Sequence, residues 1–124
     1  MKLATFKTGK GTSYGIVNGN SVTDLGARLG SKYPDLLAFI AAKGDAKGLS
    51  QADFKTSEIT WLPVIPNPGK IVCVGLNYQD HVVETGRDNT EQPAIFLRVP
   101  ESQVGHLQPI VRARESRDLS YEAE

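Results

Sequence analysis

The chain has 124 residues, about one ordinary domain, and its 40% hydrophobic and 23% charged content excludes a disordered, fibrous or low-complexity protein. Fourteen Lys and Arg balance fourteen Asp and Glu with no basic run, so the electrostatic footprint of a nucleic-acid binder is missing. The lone Cys73 has no internal disulfide partner, the start lacks a signal-like apolar stretch, and the longest nearly apolar run, 36–42, is far short of the roughly 20 residues a spanning helix needs.

These features fit a cytoplasmic protein without membrane or nucleic-acid partners. Residues 2–8 alternate small, apolar and polar types, and 14–17 are β-prone. Asn18-Gly19-Asn20 separates them from the run Ser21-Val22-Thr23-Asp24-Leu25, and an Asn-Gly step between β-prone runs is a strong hairpin signal. A small antiparallel sheet is expected. Pro34-Asp35 then opens Leu36, Leu37, Phe39, Ile40 and Ala41, whose spacing predicts a helix over about 34–43 that ends near Gly44.

Residues 45–57 are polar and small, and Ile59-Thr60-Trp61-Leu62-Pro63-Val64-Ile65-Pro66-Asn67-Pro68-Gly69 carries three prolines. Proline cannot donate to a strand ladder, so this stretch reads as an extended connector. The expected domains are 1–65, small and β-rich, and 66–124. In the second, Lys70-Ile71-Val72-Cys73-Val74-Gly75 is a continuous apolar run of the kind buried on both faces. Residues 79–84 suit one or two helical turns, 93–98 a strand, and 109–112 an edge strand with Pro109 at its start. The fold class is mostly β within α+β, with no internal repeat.

Two constellations could carry chemistry. Asn77-Tyr78-Gln79-Asp80-His81-Val82-Val83-Glu84 follows the apolar strand, where polar groups are well placed to line a pocket. If 79–84 is helical, His81 and Glu84 share a face, and the carboxylate could orient the imidazole for acid–base work; a casual surface pair has the same spacing. Glu122 and Glu124, one residue apart, would point to one side of a strand, and a hard cation would relieve their repulsion. An acidic, frayed end has that spacing too. Cys73 reads as an inert core thiol, and residues 9–13 as a turn that lacks phosphate-loop spacing. His106 fits a surface loop, and Arg112, Arg114 and Arg117 a solvated face.

From Lys70 onward the text resembles the segment that opens the catalytic domain of fumarylacetoacetate hydrolase family proteins. The resemblance is carried by Lys-Ile-Val-Cys-Val-Gly-Leu-Asn-Tyr-Gln-Asp-His-Val-Val-Glu-Thr-Gly, Pro93-Ala94-Ile95-Phe96-Leu97-Arg98, Val104-Gly105, Pro109-Ile110-Val111 and Asp118-Leu119-Ser120-Tyr121-Glu122-Ala123-Glu124, in that order. Residues 1–65 are similar to the small β-rich N-terminal domain of many prokaryotic members, through Tyr14-Gly15, the hairpin and Trp61-Leu62-Pro63.

The resemblance implies a mixed β-sandwich roll of which this chain holds only the beginning, because the family's third metal carboxylate, a catalytic-site lysine and most strands of the roll fall beyond position 124. It implies Mg²⁺ or Mn²⁺ (Ca²⁺ in a crystal) held by Glu122 and Glu124, His81 with Glu84 as base on a lid, and substrate contacts from Asn77, Tyr78 and Arg98. The implied reaction is C–C cleavage of a β-diketo acid such as an acylpyruvate. Isomerisation of a dienol or decarboxylation of a β-keto acid would use the same site. The implied assembly is a homodimer with a keto-acid substrate. Many relatives place Lys at position 98 and a Pro-Ser pair near 99–101, where this chain has Arg98 and Val99-Pro100-Glu101, so substrate contacts in that loop are expected to differ. A reading of another class is a non-catalytic fragment or assembly module built on the N-terminal domain.

Overall fold

The computed structural model describes residues 1–75, 78–86 and 92–118, with the backbone alone at Gln79 and His81. The alternating first 24 residues form the expected antiparallel meander, β1 (Lys2–Thr8), β2 (Gly11–Asn18) and β3 (Ser21–Asp24). Asn18 pairs with Ser21, so the turn centres on Gly19 and Asn20, and Gly19 takes the positive φ, +57°. A glycine in the first central position gives the twist that two-residue hairpin loops require. Of the 9–13 stretch, Gly9 and Lys10 form the expected turn, whereas 11–13 already belong to β2.

Two short strands that composition did not reveal complete this sheet. They are β4 (Phe54–Lys55), against β3, and β5 (Thr60–Trp61), against the outer side of β1. The order is β4-β3-β2-β1-β5. The proline-rich stretch thus begins as an edge strand, the one sheet position where nearby prolines cost no ladder bonds.

The register sorts side chains onto two faces. Leu3, Thr5, Tyr14 and Ile16 share one, and Tyr14 packs there with Leu25, Leu36 and Phe39 from two short helices. Phe6 and Val22 share the other, both fully buried, and the Phe6 ring meets Phe54 edge-on at 6.1 Å.

The first helix, α1 (Leu25–Leu29), starts where the sequence suggested strand. Asp24 caps it by accepting from the Ala27 N–H at 2.9 Å, a local bond that turns the chain out of β3. The second, α2 (Leu36–Ala41), is shorter than the expected 34–43. Asp35 caps its start through Ala38 N–H. At its end the Gly44 N–H returns to Phe39 O and the Lys43 N–H to Ile40 O, a Schellman closure with Lys43 at φ +50°. Gly44 serves packing here, since a Cβ on it would lie 2.4 Å from the Phe39 ring.

Beyond the connector lies a separate two-stranded sheet, β6 (Ile71–Gly75) against β7 (Ala94–Arg98). The expectation that β6 is buried on both faces is corrected. Val72 and Val74 and their register partners Leu97 and Ile95 are all exposed, because among the described residues no layer covers that face. Cys73, on the opposite face, is only partly buried. Residues 109–112 form no strand among the described residues, where β7 has β6 as its one partner. The chain is therefore mostly β, with a curled antiparallel sheet and short helices.

Asp53 ties the first sheet to α1. It accepts from both Arg28 guanidinium nitrogens, at 2.5 and 2.8 Å, and from the Asp24 N–H at 2.7 Å. The Arg28 hydrogen bonds hold its carboxyl below the usual carboxylate range. A depressed folded value stabilises the fold above the unfolded value of about 3.9, and that stabilisation fades as pH falls through the folded value. Urea unfolding should therefore show a loss of stability below about pH 4 that Asp53→Asn reduces. Phe6→Ala should lower stability by roughly 3–5 kcal/mol in the same assay, since it empties the centre of the sheet's second face.

Candidate active site

The strand β6 delivers the chain to residues 76 and 77, and so Asn77 lies outside the described residues. Tyr78 follows in extended conformation and opens α3 (Gln79–Thr85). No side chain caps this helix start. Its end is better defined: Gly86 sits in the left-handed region at φ 61°, and its N–H returns to Val83 O at 3.2 Å. Asp80 in the first turn complements the helix dipole.

The predicted helix over 79–84 is thus present, and His81 and Glu84 stand three positions apart along it, which puts them on one face by backbone register. The Glu84 side chain is exposed. Val82 is buried, at 7% exposure, whereas Val83 is 71% exposed. Tyr78 is exposed as well, its ring free of the core.

Arg98 ends β7 and pairs with Ile71, whereas the α3 end of the hairpin is marked by Gly75 opposite Ala94. Four strand steps separate these levels, about 13 Å at the usual rise. The Arg98 guanidinium lies 5.7 Å from the centre of the Phe96 ring, a cation–π contact between neighbours on one strand face. Along the backbone, Tyr78, His81 and Glu84 lie on one short segment at the α3 end, and Arg98 lies at the far end of the same hairpin. Glu122 and Glu124 lie outside the described residues.

The described residues contain no group of three or more His, Cys, Asp or Glu side chains able to hold a metal. A cleft of about 490 Å³ that sequence reasoning missed opens beside Lys10, Ser13, Asp24, Asp53 and Phe54. Its carboxylates are engaged by the fold: Asp24 accepts from Ser13 and Ala27, and Asp53 from Arg28 and the Asp24 backbone. Neither is left over to serve as a base. The cleft is assembled from β1, β2, β3, α1 and β4, so no short motif could have announced it.

Comparison with known proteins bears on the α3 hairpin. Residues 70–124 match the model of the fumarylacetoacetate hydrolase C-terminal domain. The stretch from Lys70 onward is therefore similar to the fumarylacetoacetate hydrolase family. Similar proteins include a mitochondrial oxaloacetate tautomerase of Xenopus laevis, 41% identical over 68 residues, which are 55% of this chain and 21% of that protein. A human mitochondrial oxaloacetate tautomerase is 37% identical over 68 residues, 55% of this chain and 22% of its own length. An uncharacterised protein of Methanocaldococcus jannaschii is 42% identical over 57 residues, 46% of this chain and 24% of its own.

The matched stretch therefore spans about a fifth to a quarter of these relatives. Every candidate residue, from Asn77 to Glu124, falls inside the segment that matches the fumarylacetoacetate hydrolase family, while the first sheet falls outside it. Gly86 carries the end of the helix on which His81 and Glu84 stand. Gly86→Ala should cost about 1 kcal/mol locally, because a Cβ is strained at this φ. Amide exchange across 79–85 should then rise while the 2–24 amides keep their protection.

Proposed function

We propose that the protein carrying this chain is a divalent-metal-dependent enzyme that moves a proton between the carbon and oxygen of a 2-keto acid, interconverting keto and enol forms. The observation that carries this reading is the 37–41% identity to proteins named oxaloacetate tautomerase, in frog and human. A keto dicarboxylate is accordingly the proposed substrate class.

Glu122 and Glu124 are proposed to hold the cation. Two carboxylates one residue apart are a hard oxygen donor set, which suits Mg²⁺ or Mn²⁺ and disfavours softer metals. When bound, the cation would supply positive charge beside the keto oxygen and so make the neighbouring C–H more acidic. His81 would take that proton and return one to the oxygen, leaving atoms and charge balanced. Glu84, three positions away on the same helix face, would fix the imidazole tautomer and favour its protonated form. Asn77, Tyr78 and Arg98 would contact the substrate, with Arg98 offering a planar, two-toothed partner for a carboxylate.

The family's own name favours a second reading, hydrolysis of a C–C bond in a β-diketo acid, in which His81 would activate water instead. A homodimer in the cytoplasm is the proposed assembly and compartment.

One assay separates the two reactions. The protein is supplied with Mg²⁺ or Mn²⁺ and given oxaloacetate, with loss of enol absorbance followed, and separately an acylpyruvate, with release of pyruvate followed. Enol conversion without cleavage is the expected result, and cleavage alone would establish the hydrolase reading. His81→Ala should lower the active rate by about 10² to 10⁴. A rate unchanged by that substitution would remove His81 from the mechanism. Glu122→Gln with Glu124→Gln should abolish Mn²⁺ binding in a calorimetric titration.

A further inference from the structure

We infer that Gln103 and Gly105 clasp the loop that leaves β7 onto the first sheet, and so act as positioning residues for the hairpin that carries the candidate site. The inference rests on the proposed role of Arg98 in substrate contact, and it adds residues that neither the family match nor the motif reading gives any role.

Four observations carry it. Gly105 is buried, and a Cβ built on it would lie 2.2 Å from the Trp61 carbonyl oxygen and 3.0 Å from Leu62 Cα. Those are backbone atoms of β5 and the connector, so neither can give way, and only glycine allows this approach. Two positions earlier, the Gln103 side-chain amide donates to the Ile65 carbonyl at 3.2 Å and to the Pro100 carbonyl at 3.3 Å. One position later, the His106 ring meets the Trp61 ring edge-on at 6.2 Å. The surface that receives the loop is itself fixed to β1, because Trp61 pairs with Phe6, Leu62 N–H donates to Thr5 O, and Thr5 donates its hydroxyl to Val64 O at 2.7 Å.

The consequence follows from register. Ile71 and Arg98 are cross-strand partners at the base of the hairpin. The connector enters this base through β6, and the clasped loop leaves it through β7. A turn of 3₁₀ helix, Pro100–Ser102, fills the short path from Arg98 to Gln103, with Ser102 Oγ donating to Val99 O. Both chain ends at the base are therefore anchored to one surface, and the α3 end projects from it. Two anchored ends fix direction where one would leave a pivot, so the clasp sets where Arg98 stands relative to the first sheet.

The test uses Gly105→Ala and, because that variant can fail to fold, the milder Gln103→Ala, each in the protein carrying this chain. Amide exchange by mass spectrometry should rise about tenfold across 71–75 and 94–98 in at least one variant, while 2–24 keeps its protection. Steady-state kinetics on oxaloacetate should show KM raised about tenfold with kcat within about twofold, the split expected when a substrate contact is displaced and the proton-moving group is not. Unchanged exchange across the hairpin in both variants would overturn the clasp. Loosened exchange with unmoved KM, in a protein that converts oxaloacetate, would overturn its positioning role. Absence of turnover in the unsubstituted protein would strike the proposed function instead, and the exchange result would still decide the clasp.

Discussion

The structure depends on β1 being buried on both faces. Phe6 fills one side without solvent exposure, and Thr5 on the other is 4% exposed. A buried hydroxyl without a partner costs about 1–3 kcal/mol, so Thr5 must find an acceptor, and the one it uses is the carbonyl of Val64 in the connector. That bond, with Leu62 N–H on Thr5 O, lays the proline-rich stretch along the edge of the sheet. Asn67 completes the path by donating to Asp35, the residue that caps α2. Everything downstream of residue 69 leaves from a point fixed by these three bonds.

The two sheets differ in how they meet the hydrophobic effect. The first has helices over one face and Phe6, Val22 and Phe54 gathered on the other. The second is a hairpin whose Val72, Val74, Ile95 and Leu97 form an apolar face that no layer covers among the described residues. A lone two-stranded sheet is marginal in stability, and an apolar face of this kind is ordinarily covered by another layer. What stabilises the hairpin within the described residues comes from its base, where the connector and the loop after β7 meet the first sheet.

Local signals made much of this legible in the sequence. Asn18-Gly19-Asn20 marked its hairpin, Pro34-Asp35 marked α2, and Trp61-Leu62-Pro63 marked the passage between sheets, because each encodes its geometry within a few residues. Helix α1 was missed although Asp24 is a good capping residue, since β-prone Val22-Thr23 before it and Leu25 after it read as one strand. The apolar run 71–75 suggested burial on both faces, but composition reports what a strand could bury and says nothing about which partners stand beside it. The contact of Gly105 with Trp61 spans 44 positions and leaves no periodic trace. Of the candidate site, the helix spacing of His81 and Glu84 was legible, while the spacing of Glu122 and Glu124 left a cation site and an acidic end both open, and the substrate contacts of Asn77, Tyr78 and Arg98 came through family resemblance.

The proposed division between tautomerase and hydrolase turns on what each reaction demands of the hairpin. Moving a proton between neighbouring atoms of one substrate needs a base in reach and a fixed carboxylate anchor. Cleaving a C–C bond needs these and also room for a water molecule and a departing carbon fragment. Positions 98–101, where the family resemblance led us to expect differing substrate contacts, run from the end of β7 into a 3₁₀ turn whose far end Gln103 ties to the connector. A substitution in that turn cannot be absorbed by loop movement, because the turn is held at both ends. It must instead change the shape beside Arg98, the proposed substrate contact. Under the proposed function, such a short, anchored segment is a physically economical place for the choice of substrate to be made.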